Sequence, residues 1–206
     1  MMNDYNWRDV AYEDAESLIE KINTLSAIAM FEAESSSLET ADLCFYKHFK
    51  LLQATTFDSI PPVTMQYLVG GNSPDWTVVK LDGTKAPIFE INPQAGLILN
   101  EETVVQYACF VLDSTMSEDG SMRLVENVDK DTFTYEPTPA QRDEVTRLIR
   151  PAIVKKTDHG FDLDAIVLYG DSVYRADLSV KNDGFVEIIS EELLAEGMPI
   201  RPIFLE

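Results

Sequence analysis

Residues 151–190 read PAIVKKTDHGFDLDAIVLYGDSVYRADLSVKNDGFVEIIS, and this stretch decides the fold. Its strand-length runs are Ile153-Val154, Phe161 to Tyr169, Val173 to Val180 and Phe185 to Ile189. Between them lie Asp158-His159-Gly160, Gly170-Asp171 and Lys181-Asn182-Asp183-Gly184. Glycine next to Asp, Asn or His reverses a chain readily, because it supplies the positive φ that hairpin turns require. The stretch predicts a four-stranded antiparallel meander. Within it Tyr174, Ala176, Leu178 and Val180 share one face, while Arg175, Asp177 and Ser179 share the other. The apolar face is expected to cover a core under two helical lids, the stripes Leu18 to Ala29 and Val104 to Leu112. The other face is expected to be wet unless a partner covers it.

Upstream, apolar side chains at Ala15, Leu18, Ile19, Ile22, Leu25, Ile28 and Ala29 recur every three or four positions. That spacing predicts a helix from Tyr12 to Phe31, with Glu13, Asp14 and Glu16 favourably placed near its positive N-terminal end. Leu38 to Gln53 fits helix and strand almost equally. The β-branched and aromatic Thr55-Thr56-Phe57 favours a short helical start followed by a strand from Phe45 to Thr55. Val63 to Val69, Trp76 to Leu81 and Ala86 to Ile91 read as further strands, ended by Gly70-Gly71-Asn72-Ser73-Pro74, Asp82-Gly83 and Asn92-Pro93. Asn100 is placed to cap a helix over Glu101 to Met116, and Met122 to Glu126 reads as a strand. Thr138-Pro139 opens a third helix that ends at Arg150, before Pro151. One helical turn over Glu191 to Ala195 and an extended tail over Met198 to Pro202 complete the chain. The class is α+β: antiparallel sheets, including the C-terminal meander, packed against an N-terminal helix and two further helices. One compact domain over residues 1–206 is expected; a two-lobed version would be 1–127 and 138–206, with 128–137 as linker.

The 206 residues carry 36 Asp and Glu against 16 Lys and Arg, a formal charge of −20. Such a surface repels phosphate backbones and argues against nucleic acid as a partner. Two readings of the acidity stand side by side: recognition of a basic partner, or a solvated surface suited to a salty environment. Apolar runs reach about five residues (Ala165 to Tyr169), far short of the roughly 18 needed to span a membrane. Met1 to Trp7 contains no secretory h-region, and Cys44 and Cys109 form no paired motif, so a reducing, cytoplasmic address is expected.

The phosphate-loop, dinucleotide-binding and nucleophile-elbow patterns are absent from the sequence. Neither histidine, His48 or His159, has a partner at zinc-ligand spacing. His159 with Asp158, Asp162 and Asp164 places an imidazole and three carboxylates within seven residues, which could serve a metal or acid–base work, although solvated hairpin residues are the favoured reading. Trp76 is either a core anchor or a partner contact. Tyr107 is a candidate for a pocket between helix and sheet. Asp129-Lys130-Asp131 starts like a calcium loop but places Phe133 where an oxygen ligand is needed. No catalytic residue, cofactor or metal is assigned. Two functions are carried: a non-enzymatic binding or interaction protein, and a small carboxylate-based enzyme using a pocket between helix and sheet. The partner would be a protein or small molecule, and a homo-oligomer remains open.

Tyr67-Leu68-Val69, Leu81-Asp82-Gly83, Pro87-Ile88-Phe89-Glu90-Ile91-Asn92, Tyr107 with Phe110, and Met122-Arg123-Leu124-Val125-Glu126 together resemble a set of uncharacterised bacterial proteins. The resemblance spans Pro62 to Asn127, about a third of the chain, and departs from the pattern at Ala108-Cys109. It implies a bacterial origin and carries over no catalytic residue.

Overall fold

The computed structural model describes residues 5–26, 28–117, 120–129 and 132–201. Sequence readings that fall on Met1 to Asp4, Ala27, Lys130-Asp131 and Pro202 lie outside the described residues. The described chain forms two units, one of residues 5–82 and 86–98, the other of residues 83–85 and 99–201. The segment 128–137 lies within the second unit.

The first unit contains β1 (Arg8–Asp9), α1 (Tyr12–Asn23), β2 (Ser36–Asp42), β3 (Phe49–Thr56), β4 (Val63–Gly70), β5 (Thr77–Lys80) and α2 (Ala86–Ala95). Its five strands pair antiparallel in chain order. The register aligns Leu38 with Ala54, Leu52 with Tyr67 and Val69 with Val78, so one face is a continuous apolar layer. Leu18, Ile19 and Ile22 of α1 pack into that layer, which is their three-and-four spacing made physical.

Three expectations change here. The helix from Tyr12 stops at Asn23, not Phe31, because the Asn23 carboxamide turns the chain back: its Oδ1 accepts from the Met30 and Phe31 N–H groups, and its Nδ2 donates to the Phe31 carbonyl. Leu25 and Ile28 therefore leave the stripe and stand exposed. The expected helical start at Leu38 is strand β2, where a full ladder to β3 outweighs a local pattern that fitted both states. Ala86 to Ile91, expected as a strand, is helix α2. Ile88, Ile91, Asn92 and Ala95 form its buried side, and Pro87 sits in the first turn, where no backbone donor is lost. The Tyr46 hydroxyl donates to Asn92 Oδ1 at 2.5 Å, and Lys47 and His48 donate backbone N–H groups to the Ala95 carbonyl. Gly96 then ends the helix at φ +67°, where a Cβ would meet the His48 ring at 2.8 Å.

The second unit contains α3 (Val104–Asp113), β6 (Met116–Ser117), β7 (Gly120–Ser121), β8 (Arg123–Val125), α4 (Pro139–Leu148), β9 (Ile153–Thr157), β10 (Gly160–Tyr169), β11 (Ser172–Lys181) and β12 (Val186–Ala195). The C-terminal meander is present: β9, β10, β11 and β12 pair antiparallel in succession. β8 joins along the same edge of β10 as β9, opposite Ile166 to Leu168, while β9 pairs Gly160 to Asp164. β6 and β7 form a separate two-stranded ribbon. Ala176, Leu178 and Val180 are buried and Arg175 and Asp177 exposed, as the alternation predicted.

The opposite face is wet over only half its length. Ile166, Leu168, Val173 and Ala195 on that face pack with Val145 and Ile149 of the α4 region and with Met198 and Ile200 of the tail. Burial on both sides explains why Ala165 to Leu168 read as an uninterrupted apolar run, each no more than 2% exposed. Of the two expected lids, α1 belongs to the first unit, while α3 borders β8 in the second. α4 starts as predicted, with Thr138 and Gln141 forming a reciprocal capping box and Pro139 in the first turn. The expected helical turn over Glu191 to Ala195 is instead the end of β12, which pairs with Val173 to Val180 of β11, with bulges taking up the mismatch. The tail is extended, and Ile200 bridges to Phe133. No helix among the described residues is long and apolar enough to cross a membrane.

Candidate functional site: an apolar cavity in the second unit

The residues singled out in the sequence do not converge. Asp158 and His159 are exposed in the β9–β10 turn, which is held through backbone by the Asn182 N–H donating to the His159 carbonyl at 2.9 Å. Asp162 is exposed opposite Lys155 and Ser179. Asp164 shares that face but is occupied: Arg150 donates to it at 2.5 Å, and Arg175 donates through Nε at 3.1 Å and a second nitrogen at 3.0 Å. Hydrogen bonding from Arg175, reinforced by Arg150, holds the Asp164 carboxyl below the usual carboxylate range. No cluster of three or more potential metal ligands occurs among the described residues.

Trp76 and Tyr107 are structural within their own units. Trp76 packs against the first core, and its indole N–H donates to Ser17 Oγ at 3.0 Å. Tyr107 is wholly buried and donates its hydroxyl to the Gly184 carbonyl. His48 is exposed. Cys109 is buried on α3, where burial pushes its thiol up and away from the reactive thiolate form.

A different set of residues forms a concave site. Leu112, Thr115, Met116, Ser117, Gly120, Met122, Tyr169 and Ile188 enclose a cavity of about 120 Å³ with Lys85 in its wall. Four parts of the unit build most of it: the end of α3, the β6–β7 ribbon, the last residue of β10 and the start of β12. Thr115 turns the chain out of α3, its hydroxyl donating to the Val111 carbonyl at 2.6 Å, and the ribbon then folds back through the Met116–Ser121 pair. The Met116 N–H donates to the Gly83 carbonyl at 2.8 Å, which anchors the short segment carrying Lys85.

The polar groups of the lining are few and mostly engaged. Ser117 Oγ donates to the Gly120 carbonyl at 2.7 Å, so in its 2.7 Å contact with Tyr169 the tyrosine hydroxyl is the donor. Lys85 is half-buried, and its ammonium donates to the Val186 carbonyl at 3.3 Å. Burial lowers the Lys85 pKa from its ordinary value, and the negative charge of Glu187 pulls it back up. An amine among apolar side chains gains from a ligand that brings negative charge or hydrogen-bond acceptors.

Two other concavities are less suited. A broader groove of about 520 Å³ runs past Asp129, Phe133, Tyr135 and Arg201, but the Arg142 in its wall is already paired with Glu136 at 2.8 Å and stacked over Phe133. A cleft beside Ser121, Arg123 and Arg201 has no room for even a water. At the end of α3, Asp113 keeps its Oδ1 out of contact with solvent and without a hydrogen-bond partner. Burial raises its pKa to about 7, against the opposing pull of Arg123.

Comparison with protein-family models, curated proteins and solved structures finds no match.

Proposed function

We propose that the protein is a non-enzymatic binding protein whose second unit takes a small, largely apolar molecule into the cavity beside Lys85. The observation that carries this reading is the lining itself: four apolar side chains, Leu112, Met116, Met122 and Ile188, surround the space, and one lysine supplies its charge. Small-molecule sites have this character, with apolar walls and a few placed polar groups. The acidic exterior is then a solvated surface that keeps the protein apart from other acidic macromolecules.

The test is a titration with a short neutral alcohol, 1-butanol, read by NMR of protein labelled at the methionine methyls. The Met116 and Met122 signals should shift in a saturable way, while those of Met30 and Met65, in the first unit, stay in place. Saturable shifts at Met30 or Met65 instead would refute the reading.

A further inference from the structure

We infer that the ligand of this cavity is a short-chain monocarboxylate, its carboxylate against the Lys85 ammonium and its hydrocarbon tail among Leu112, Met116, Met122 and Ile188. The inference rests on the binding reading above and adds the chemical class of the ligand. It follows from counting donors. The hydroxyl hydrogens of Thr115, Ser117 and Tyr169 are directed at the Val111 carbonyl, the Gly120 carbonyl and Ser117 Oγ. An ammonium has three hydrogens, and the bond from Lys85 to the Val186 carbonyl uses one. Two ammonium hydrogens are left beyond that bond, at a largely apolar wall, with the negative charge of Glu187 already acting on the amine. An anionic acceptor satisfies both, a neutral acceptor satisfies the geometry without the charge, and a cation is repelled.

Size sets the tail. A volume of 120 Å³ corresponds to about four waters at roughly 30 Å³ each, so the fit is to roughly four to six non-hydrogen atoms. Butanoate has that size. The lowered Lys85 pKa agrees with the geometry, since a bound carboxylate would restore the charged amine that burial disfavours. A protein of net charge −20 repels free carboxylates at long range, so specificity for one arises at short range, from this single cation.

The experiment compares butanoate with 1-butanol in the full-length chain and in Lys85→Met, reading the Met116 and Met122 methyl signals. Ligands of this size bind weakly, with dissociation constants on the order of millimolar. Butanoate is expected to bind at least about tenfold more tightly than 1-butanol, as for a hydrogen bond to a charged group. Lys85→Met should erase that preference, while Lys85→Arg, which keeps the cation, should retain it. If 1-butanol binds as well as butanoate, or the preference survives Lys85→Met, the carboxylate inference is wrong and the binding reading stands. If neither ligand binds the wild-type chain, both fall.

Discussion

Tyr107 donates its hydroxyl to the carbonyl of Gly184 at 2.8 Å, tying the middle of α3 to the turn between β11 and β12. Both groups are buried, so the bond has no water to replace it. Tyr107→Phe keeps the ring and orphans the carbonyl, which should lower stability by about 1–2 kcal/mol. Urea unfolding measures this directly; an unchanged midpoint would mean the bond contributes nothing.

Helix α2 is tested by comparing its two sides. Ile88 is fully buried and Glu90 exposed. Ile88→Ala should cost about 2–5 kcal/mol and Glu90→Ala no more than about 0.5 kcal/mol. A strand over the same residues would place Ile88 and Glu90 on one face and give similar losses.

Asp113 gives the protein a pH dependence opposite to the usual one for a carboxylate. Its pKa is raised from 3.8 to about 7 in the folded state, so the folded chain binds an extra proton between those values. The resulting stabilisation is full below about pH 4 and disappears as pH rises through about 7. Asp113→Asn should therefore stabilise the protein at pH 8 by about 1–3 kcal/mol and have little effect at pH 4. Denaturant midpoints at the two pH values decide it; equal effects at both would show that the carboxyl is not buried in its charged form.

Asp164 behaves in the opposite sense. Its folded pKa is depressed by Arg175 and Arg150, so its contribution is present above 3.8, the ordinary aspartate value, and is lost as pH falls through the lower folded value. Asp164→Ala should weaken the protein at neutral pH and flatten its acid unfolding. It should cost more than Arg175→Ala, because removing the carboxylate leaves two guanidinium groups without their shared partner. Acid titrations of the two variants provide the comparison.

The meander was legible because its turns carry local chemistry. Gly160 at φ +147° lies against the Val180 carbonyl, where a Cβ has no room, and Gly170 and Gly184, also at positive φ, close the next two reversals. Over residues 86–91 the apolar Ala86, Ile88, Phe89 and Ile91 are too few to separate a period of two from one of 3.6, and Pro87 is the sign of a helix start. The covering of half the sheet by α4 was encoded in the unbroken run Ala165 to Tyr169, which alternation alone does not explain. The candidate site was not legible at all. Lys85, Leu112, Met122, Tyr169 and Ile188 are far apart in sequence and each is ordinary where it stands. Only the turn of the chain after α3 and the pairing of β10 and β12 on either side of β11 bring them together. The acids around His159, close in sequence, are splayed by the strand geometry that their own turn creates.

The most direct measurement is an isotope-filtered NOE experiment with butanoate at saturating concentration on the methyl-labelled chain. Cross-peaks from the ligand's terminal methyl to Leu112, Met122 and Ile188, with the carboxylate end nearest the Lys85 side chain, are the predicted result. Cross-peaks to methyls of the first unit, or saturable shifts at Met116 and Met122 without any ligand contact, would contradict binding in this cavity.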